Sequence, residues 1–349
     1  MANAAPSVRE SALRAAAPRP YLLLVGHGSS GTKRMFNLLH LSRETHCRWG
    51  PHSLRDSPFK GLPSEHAFAA ADEAVMDARW DAAITWISDR FSLEEKDGLP
   101  VPPKRYLRPT MRRLFMSLAT PKRTRSILKR MVPALRQPDW RLPDWLGDSR
   151  QLEQALLAVR MGQVPAWTAW VLRNRPEATV VHVARHPAAY LHAWWGRFGR
   201  HQDQAVLTRQ NRDRLRKVAD VCPEWSDRFG DIDRLTAIEA ELGFWSYSTL
   251  TTHEAGAGRE RYELVRDEEV VQDPVAVARR TYARCGLEWT AEIEEVVARR
   301  AINWKRRTAV ARDLLDDERS RLVERVLRGT VIHGWWTMDQ TVSLFDYHF

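Results

Sequence analysis

The sequence predicts an α/β protein, a parallel sheet flanked by helices on both faces in three layers. Three observations predict it. Tyr21-Leu-Leu-Leu-Val runs into a glycine- and serine-rich turn and then a helical pattern, with Met35, Phe36, Leu38 and Leu39 able to share one face. Thr179 to Ala184 is rich in β-branched residues, and Arg185-His186-Pro187 follows, with Pro187 suited to the first turn of a helix. An alternating strand at Arg261-Tyr-Glu-Leu-Val meets an acidic stretch, after which Pro274 opens a helix that Gly286 caps. Strands alternating with helices favour a parallel sheet covered on both faces.

Each element has its own justification. The first strand and turn form an anion-binding device: backbone N–H groups point outward at the turn, and the helix dipole adds positive potential. Gly26, Gly28 and Gly31 let the backbone approach an anion closely. Ser29, Ser30 and Thr32 add hydroxyl donors and Lys33 adds a full charge, so the loop is read as holding a phosphate or sulfate. A late helix is expected from Asp316 to Arg328, ended by Gly329. Tryptophans 80, 86, 167, 170, 194 and 195 fall on apparent helices and read as core; Trp194 or Trp195 is close enough to Arg185 to line an acceptor pocket or face a base. No internal repeat is visible.

At 349 residues the chain is long enough for one large domain. Residues 1–19 read as a mobile tail without the apolar stretch of a signal peptide, and residues 20–349 as the domain. No apolar run reaches the length of a membrane span. Cys47, Cys222 and Cys285 are widely spaced and lack a CxxC pair, which argues against a disulfide framework or zinc site and for a reducing, cytoplasmic compartment. The net charge of +10 is local. Residues 104–136 hold 11 basic residues and no acidic one; the remainder carries 43 basic against 44 acidic residues. This proline-containing stretch reads as a basic helical insertion at about residues 99–150, lying over the core. Its readings are a solvated face, a collector of an acidic acceptor such as a sulfated or phosphorylated glycan or lipid head group, or a peripheral membrane contact, since residues 111–118 and 127–135 mix apolar and basic side chains. Nucleic acid is unlikely as a partner, because no reader motif is present.

Gly26 and Gly31 have the separation of a Walker A loop, but lysine comes one position late, at Lys33. A kinase also needs an apolar strand ending in Asp to hold magnesium, and the obvious second strand ends in Arg185, which suits direct anion binding. The loop Gly28-Ser29-Ser30-Gly31-Thr32-Lys33 instead resembles the 5′-phosphosulfate loop of sulfotransferases that use 3′-phosphoadenosine-5′-phosphosulfate. Three further segments are similar to that family in order: Val181-His-Val-Ala-Arg185-His186-Pro187, then Val265 to Pro274, then Asn303-Trp304-Lys305-Arg306. Together they span about residues 21–330.

The resemblance implies the P-loop-like sulfotransferase fold, a phosphosulfate donor and no metal. It implies that Gly28, Ser29, Ser30, Gly31, Thr32, Lys33 and Arg34 hold the 5′ end of the donor, and Arg185 with Lys305 or Arg306 the 3′-phosphate. Lys33, or Arg34 in second place, would neutralise the leaving oxygen. There are departures from the family pattern. Ser29 stands where the family has Arg or Lys, Ala193 at the serine of the 3′-phosphate site, and Gly50 where many bacterial relatives carry a glutamate. His46 and His52 are the candidate replacement bases, while His27 and His186 read as structural residues beside the nucleotide. The acceptor expected is a small molecule, glycan or lipid with a hydroxyl or amine. Two alternatives stay open: a non-catalytic protein that keeps the cleft, motivated by the three departures, and a P-loop kinase.

Overall fold

The computed structural model describes residues 19–54, 56–91, 104–110, 140–141, 144, 146–199, 201–305, 308–328 and 334–344. The expected basic insertion therefore lies mostly outside the described residues, as do residues 111–118, residues 127–135 and Gly329.

A five-stranded parallel sheet forms the centre, in the order β2-β5-β1-β6-β7. Its strands are β1 (Tyr21–Val25), β2 (Thr45–Trp49), β5 (Leu156–Arg160), β6 (Ala178–Ala184) and β7 (Tyr262–Arg266). Among the described residues, two small antiparallel pairs complete the strands: β3 (Arg90–Phe91) with β4 (Trp140–Arg141), and β8 (Thr308–Val310) with β9 (Thr341–Ser343). The helices in chain order are α1 (Thr32–His40), α2 (Glu73–Ser88), α3 (Ser149–Gln154), α4 (Pro165–Asn174), α5 (Pro187–Trp194), α6 (Gln204–Ala219), α7 (Pro223–Phe229), α8 (Ala237–Gly256), α9 (Asp267–Gln272), α10 (Pro274–Arg284), α11 (Ala291–Lys305) and α12 (Asp317–Arg328).

The layers follow from strand alternation, which sends successive side chains to opposite faces. Tyr21, Leu23 and Val25 of β1 pack with Leu157, Val159 and the tryptophans of α2 and α4. Leu22 and Leu24 pack on the other face with Met35, Leu38, Val181 and Val183, below α1, α10 and α11. All five residues of β1 are buried, as expected of a central parallel strand. A third cluster joins α5, α6, α8 and α12.

The strand at Thr179–Ala184, the helix opened by Pro187 and the helix opened by Pro274 form as expected, and Gly286 ends the last at φ +65°. Trp80 of α2 and Trp167 and Trp170 of α4 are core, with Trp80 and Trp170 fully buried and Trp80 Nε1 donating to Tyr21 Oη at 2.8 Å, whereas Trp86 is half-buried at the edge of that cluster. Trp194 lies in the third cluster with Trp195 against it, under Arg319 of α12. Lys104, the first member of the basic run, is buried and closes the carboxyl end of α1: its Nζ donates to His40 O, Ser42 O and Thr45 Oγ1 at 2.7–2.9 Å. That placement satisfies helix-end carbonyls and matches the negative end of the dipole. So this lysine belongs to the core and does not form part of a charged surface.

Candidate active site

The turn after β1 lies at the carboxyl end of the sheet. Gly26 has no room for a side chain, because a Cβ would collide with the Val183 carbonyl of the neighbouring strand. Gly31 is the N-cap of α1 at φ +91°, and a Cβ there would collide with Asp267. With no side chain, Gly31 offers no oxygen to the first-turn amides, which favours an outside anion there. Ser29 holds φ +62°, a left-handed conformation uncommon for a residue with a Cβ. Arg185 Nη1 donates to the Ser29 carbonyl at 2.9 Å and holds that strained turn in place.

Arg185 and Arg34 are turned into the protein. Both are about 2% exposed. Arg34 Nη1 donates to Asp267 Oδ1 at 2.7 Å and its Nη2 to Ser343 Oγ at 3.0 Å. Arg185 Nε lies 3.6 Å from Asp267 Oδ2, and its Nη2 donates to the Ser343 carbonyl. One buried carboxylate thus joins two arginines, and β9 is tied to both. Lys305 closes α11, but its side chain and Arg306 lie outside the described residues.

Lys33 is half-buried on the first turn of α1. A second cation approaches from the next strand. Arg160 ends β5; its Nε donates to Thr32 Oγ1 at 3.0 Å, and its guanidinium lies 3.7 Å over the Trp49 ring. Hydrogen bonding and stacking fix it at the start of α1. The sequence signal for Arg160 resembles the one for Arg185: an apolar run, Leu156-Leu-Ala-Val, ends in arginine.

The two histidines proposed as bases occupy opposite ends of the sheet. His46 pairs with Leu157, which pairs with Tyr21, so it sits level with the first residue of β1. The loop starts at Gly26, five residues further along, about 17 Å away at strand rise. His46 is buried against Tyr106, and burial with the nearby Arg48 charge holds it well below the ordinary histidine range. It is not brought to the loop. His52 is. Trp49 pairs with Arg160 at the loop end, Gly50 takes φ +52°, and a 3-10 turn at Pro51–Ser53 carries His52 beside Trp167. Burial lowers its pKa, the Glu65 charge opposes this, and Arg160 and His66 add to the lowering.

Gln163 and His66 were not singled out by sequence. Gln163 N donates to Gly26 O at 3.0 Å, and its side-chain amide lies 3.3 Å from His27. His66 Nδ1 lies 3.1 Å from the Gln163 carbonyl; as its donor, it leaves Nε2 with the lone pair, 3.9 Å from Glu65. No local motif marks either residue. His27 is buried against Tyr190 and Phe244, and burial lowers its pKa to about 4. His186 caps α5, accepting from Ala188 N at 3.0 Å, with Nε2 3.1 Å from Thr337 O. Beside it, burial and the Asp267 charge raise Glu268 to about 7.

The profile of the sulfotransferase family matches residues 20–291. No curated protein matches the chain. Among solved structures, the chain is similar to sulfotransferase STF9 from Mycobacterium avium: 15% identity over 93% of this chain and 80% of that one, TM-score 0.43. It is also similar to sulfotransferase STF1 from Mycobacterium tuberculosis H37Rv: 13% identity, 92% and 80% coverage, TM-score 0.38. The sulfotransferase domain of the Synechococcus PCC 7002 olefin synthase shows 17% identity, 79% and 76% coverage, and a TM-score of 0.34. These TM-scores lie below 0.5, so the assignment rests on the sequence match, which covers more than three quarters of the chain and includes the loop, β5 and β6. The chain belongs to the sulfotransferase family.

Proposed function

We propose that the protein transfers a sulfuryl group from 3′-phosphoadenosine-5′-phosphosulfate to a hydroxyl or amine, at the carboxyl ends of β1, β5 and β2. One observation carries this reading: an N-terminal helix turn capped by Gly31 has Lys33 on it and Arg160 fixed beside it. Gly28 to Lys33 hold the donor's 5′ end. The acceptor oxygen or nitrogen attacks sulfur, the bond from sulfur to the bridging oxygen breaks, and the electron pair leaves with the 5′-phosphate. Lys33 and Arg160 stabilise that developing charge. His52 takes the acceptor proton; its lowered pKa keeps it neutral, and so able to accept, near pH 7.

The 3′-phosphate falls to Lys305 or Arg306, since Arg185 is committed to Ser29, Ser343 and Asp267. A second reading, nucleotide binding without turnover, draws on Ser29 and Gly50, which stand where the resemblance implies a cation and a carboxylate.

Adenosine 3′,5′-bisphosphate is expected to raise the melting temperature in proportion to the logarithm of its concentration. No stabilisation at millimolar ligand would count against both readings. Single-turnover transfer from labelled donor then separates them, since only the enzyme reading predicts a labelled acceptor.

A further inference from the structure

Among the described residues, two that carry a Cβ hold a left-handed backbone, and both are at the turn after β1: Ser29 at φ +62° and Gln163 at φ +52°. Such conformations persist where the surroundings over-determine them, and they cluster at functional sites. At Gln163 the chain had an easier choice. Gly162, one residue earlier, could take a positive φ without strain, yet it lies outside that region and has open space around it.

Gln163 meets the turn with both its backbone and its side chain. Its N–H donates to the Gly26 carbonyl at 3.0 Å, and its own carbonyl lies 3.1 Å from His66 Nδ1. The side-chain nitrogen is 3.3 Å from each ring nitrogen of His27. Equal distances put the amide over the ring face, because in the ring plane it would collide with the carbon between the two nitrogens. An N–H above an aromatic face is a weak but directional contact. His27 is a fixed platform for it: the ring is buried edge-on against Tyr190 and Phe244, with Nδ1 3.4 Å from the Gly28 carbonyl. Burial keeps that ring neutral near pH 7, so it does not repel the amide. The same amide fills the space beside Gly28, where a Cβ would lie 3.2 Å from the Gln163 side-chain nitrogen. The turn is thus held from two sides, by Arg185 at the Ser29 carbonyl and by Gln163 at Gly26 and Gly28.

We propose that Gln163 is a positioning residue for the sulfuryl donor: its side-chain amide, seated on the His27 ring, braces Gly28 so that the turn holds its anion-binding shape before the donor arrives. The inference rests on the sulfuryl-transfer reading. A turn with glycines at 26, 28 and 31 has much backbone freedom to lose on binding, and a turn already braced spares the donor that ordering cost. The side chain therefore acts on affinity. For stability alone a glycine at 163 would serve as well, because it takes φ +52° without strain.

The test compares wild type, Gln163→Gly and Gln163→Met in the full chain, by calorimetric titration with adenosine 3′,5′-bisphosphate and by thermal melting. Glycine removes the amide and relieves the left-handed strain, so that variant should melt no more than about 2 °C below wild type. Methionine keeps the length of the side chain and loses its N–H groups. Both variants are expected to bind the nucleotide at least about fivefold more weakly. Affinity within about twofold of wild type in either variant overturns the inference. So does a glycine variant whose melting temperature falls together with its affinity, since the side chain would then only support the fold. Absence of binding by wild type overturns the transfer reading and this inference with it, whereas intact binding in wild type and variants alike sinks only the role of Gln163.

Discussion

Removing the Arg185 guanidinium would leave Asp267 buried with Arg34 alone and release the Ser29 carbonyl. Breaking a buried ion network by deleting one partner costs about 3–5 kcal/mol. Arg185→Met is therefore expected to lower unfolding free energy by about that much in urea titration. A loss below about 1 kcal/mol together with lost nucleotide affinity would instead make Arg185 a phosphate ligand. Lys33 behaves oppositely. It is half-buried on the first turn of α1, so Lys33→Ala should change stability by less than about 0.5 kcal/mol while slowing single-turnover transfer at least about tenfold. An unchanged rate would remove Lys33 from the mechanism. The loop and Lys33 were legible because glycines and a strand–turn–helix pattern are local. The use of Arg185 was not, because Asp267 lies 82 positions and Ser343 158 positions further along the chain.

Among the elements, β1, β6 and β7 announce themselves through apolar or alternating runs bounded by turns. Strand β5 does not: Leu156-Leu-Ala-Val lacks β-branched enrichment and follows the helix Ser149–Gln154 without a glycine. Strand β2, Thr-His-Cys-Arg-Trp, is an edge strand with polar residues, and its register decides which histidine reaches the loop. Without β5 to fix that register, His46 and His52 look alike in sequence; with it, they fall at opposite ends. The packing of helix α2 was more legible, because Trp80, one of its two tryptophans, needs a core. Trp80 touches Phe59, Trp167 and Trp170 and bonds Tyr21 of β1. Trp80→Ala should cost about 3–5 kcal/mol by chemical denaturation, since a cavity forms beneath the sheet. A cost under about 1 kcal/mol would mean the helix is not seated there.

At the scale of the whole molecule, the carboxyl end of the sheet is closed by residues beyond the matched family segment. Trp336 Nε1 donates to Glu268 Oε2 at 3.0 Å, Arg266 Nη1 to Trp335 O at 2.9 Å, and Ser343 receives both buried arginines. Burial also gives the fold a pH dependence. His27 and His186 are lowered to about 4 and His182 to about 3, each chiefly by burial. The unfolded chain binds protons at these histidines near pH 6.5, before the folded one does, so stability falls as pH drops below 6.5. Each contributes about 1.4 kcal/mol per pH unit down to its folded value. Glu268, raised to about 7, acts the other way between about 7 and its unfolded value near 4.5, because there the folded state holds the extra proton. Three histidines outweigh one carboxyl, so unfolding free energy should decline from pH 6.5 to 4.5. A flat or rising profile would contradict the buried placement of these rings.

The central claim is that the turn from Gly28 to Lys33 holds the 5′ end of a sulfuryl donor. Calorimetric titration with adenosine 3′,5′-bisphosphate tests it most directly. Saturable one-to-one binding is expected, weakened by Lys33→Ala and by Arg160→Ala. Absence of binding at millimolar nucleotide, or tighter binding of ATP with magnesium, would contradict it.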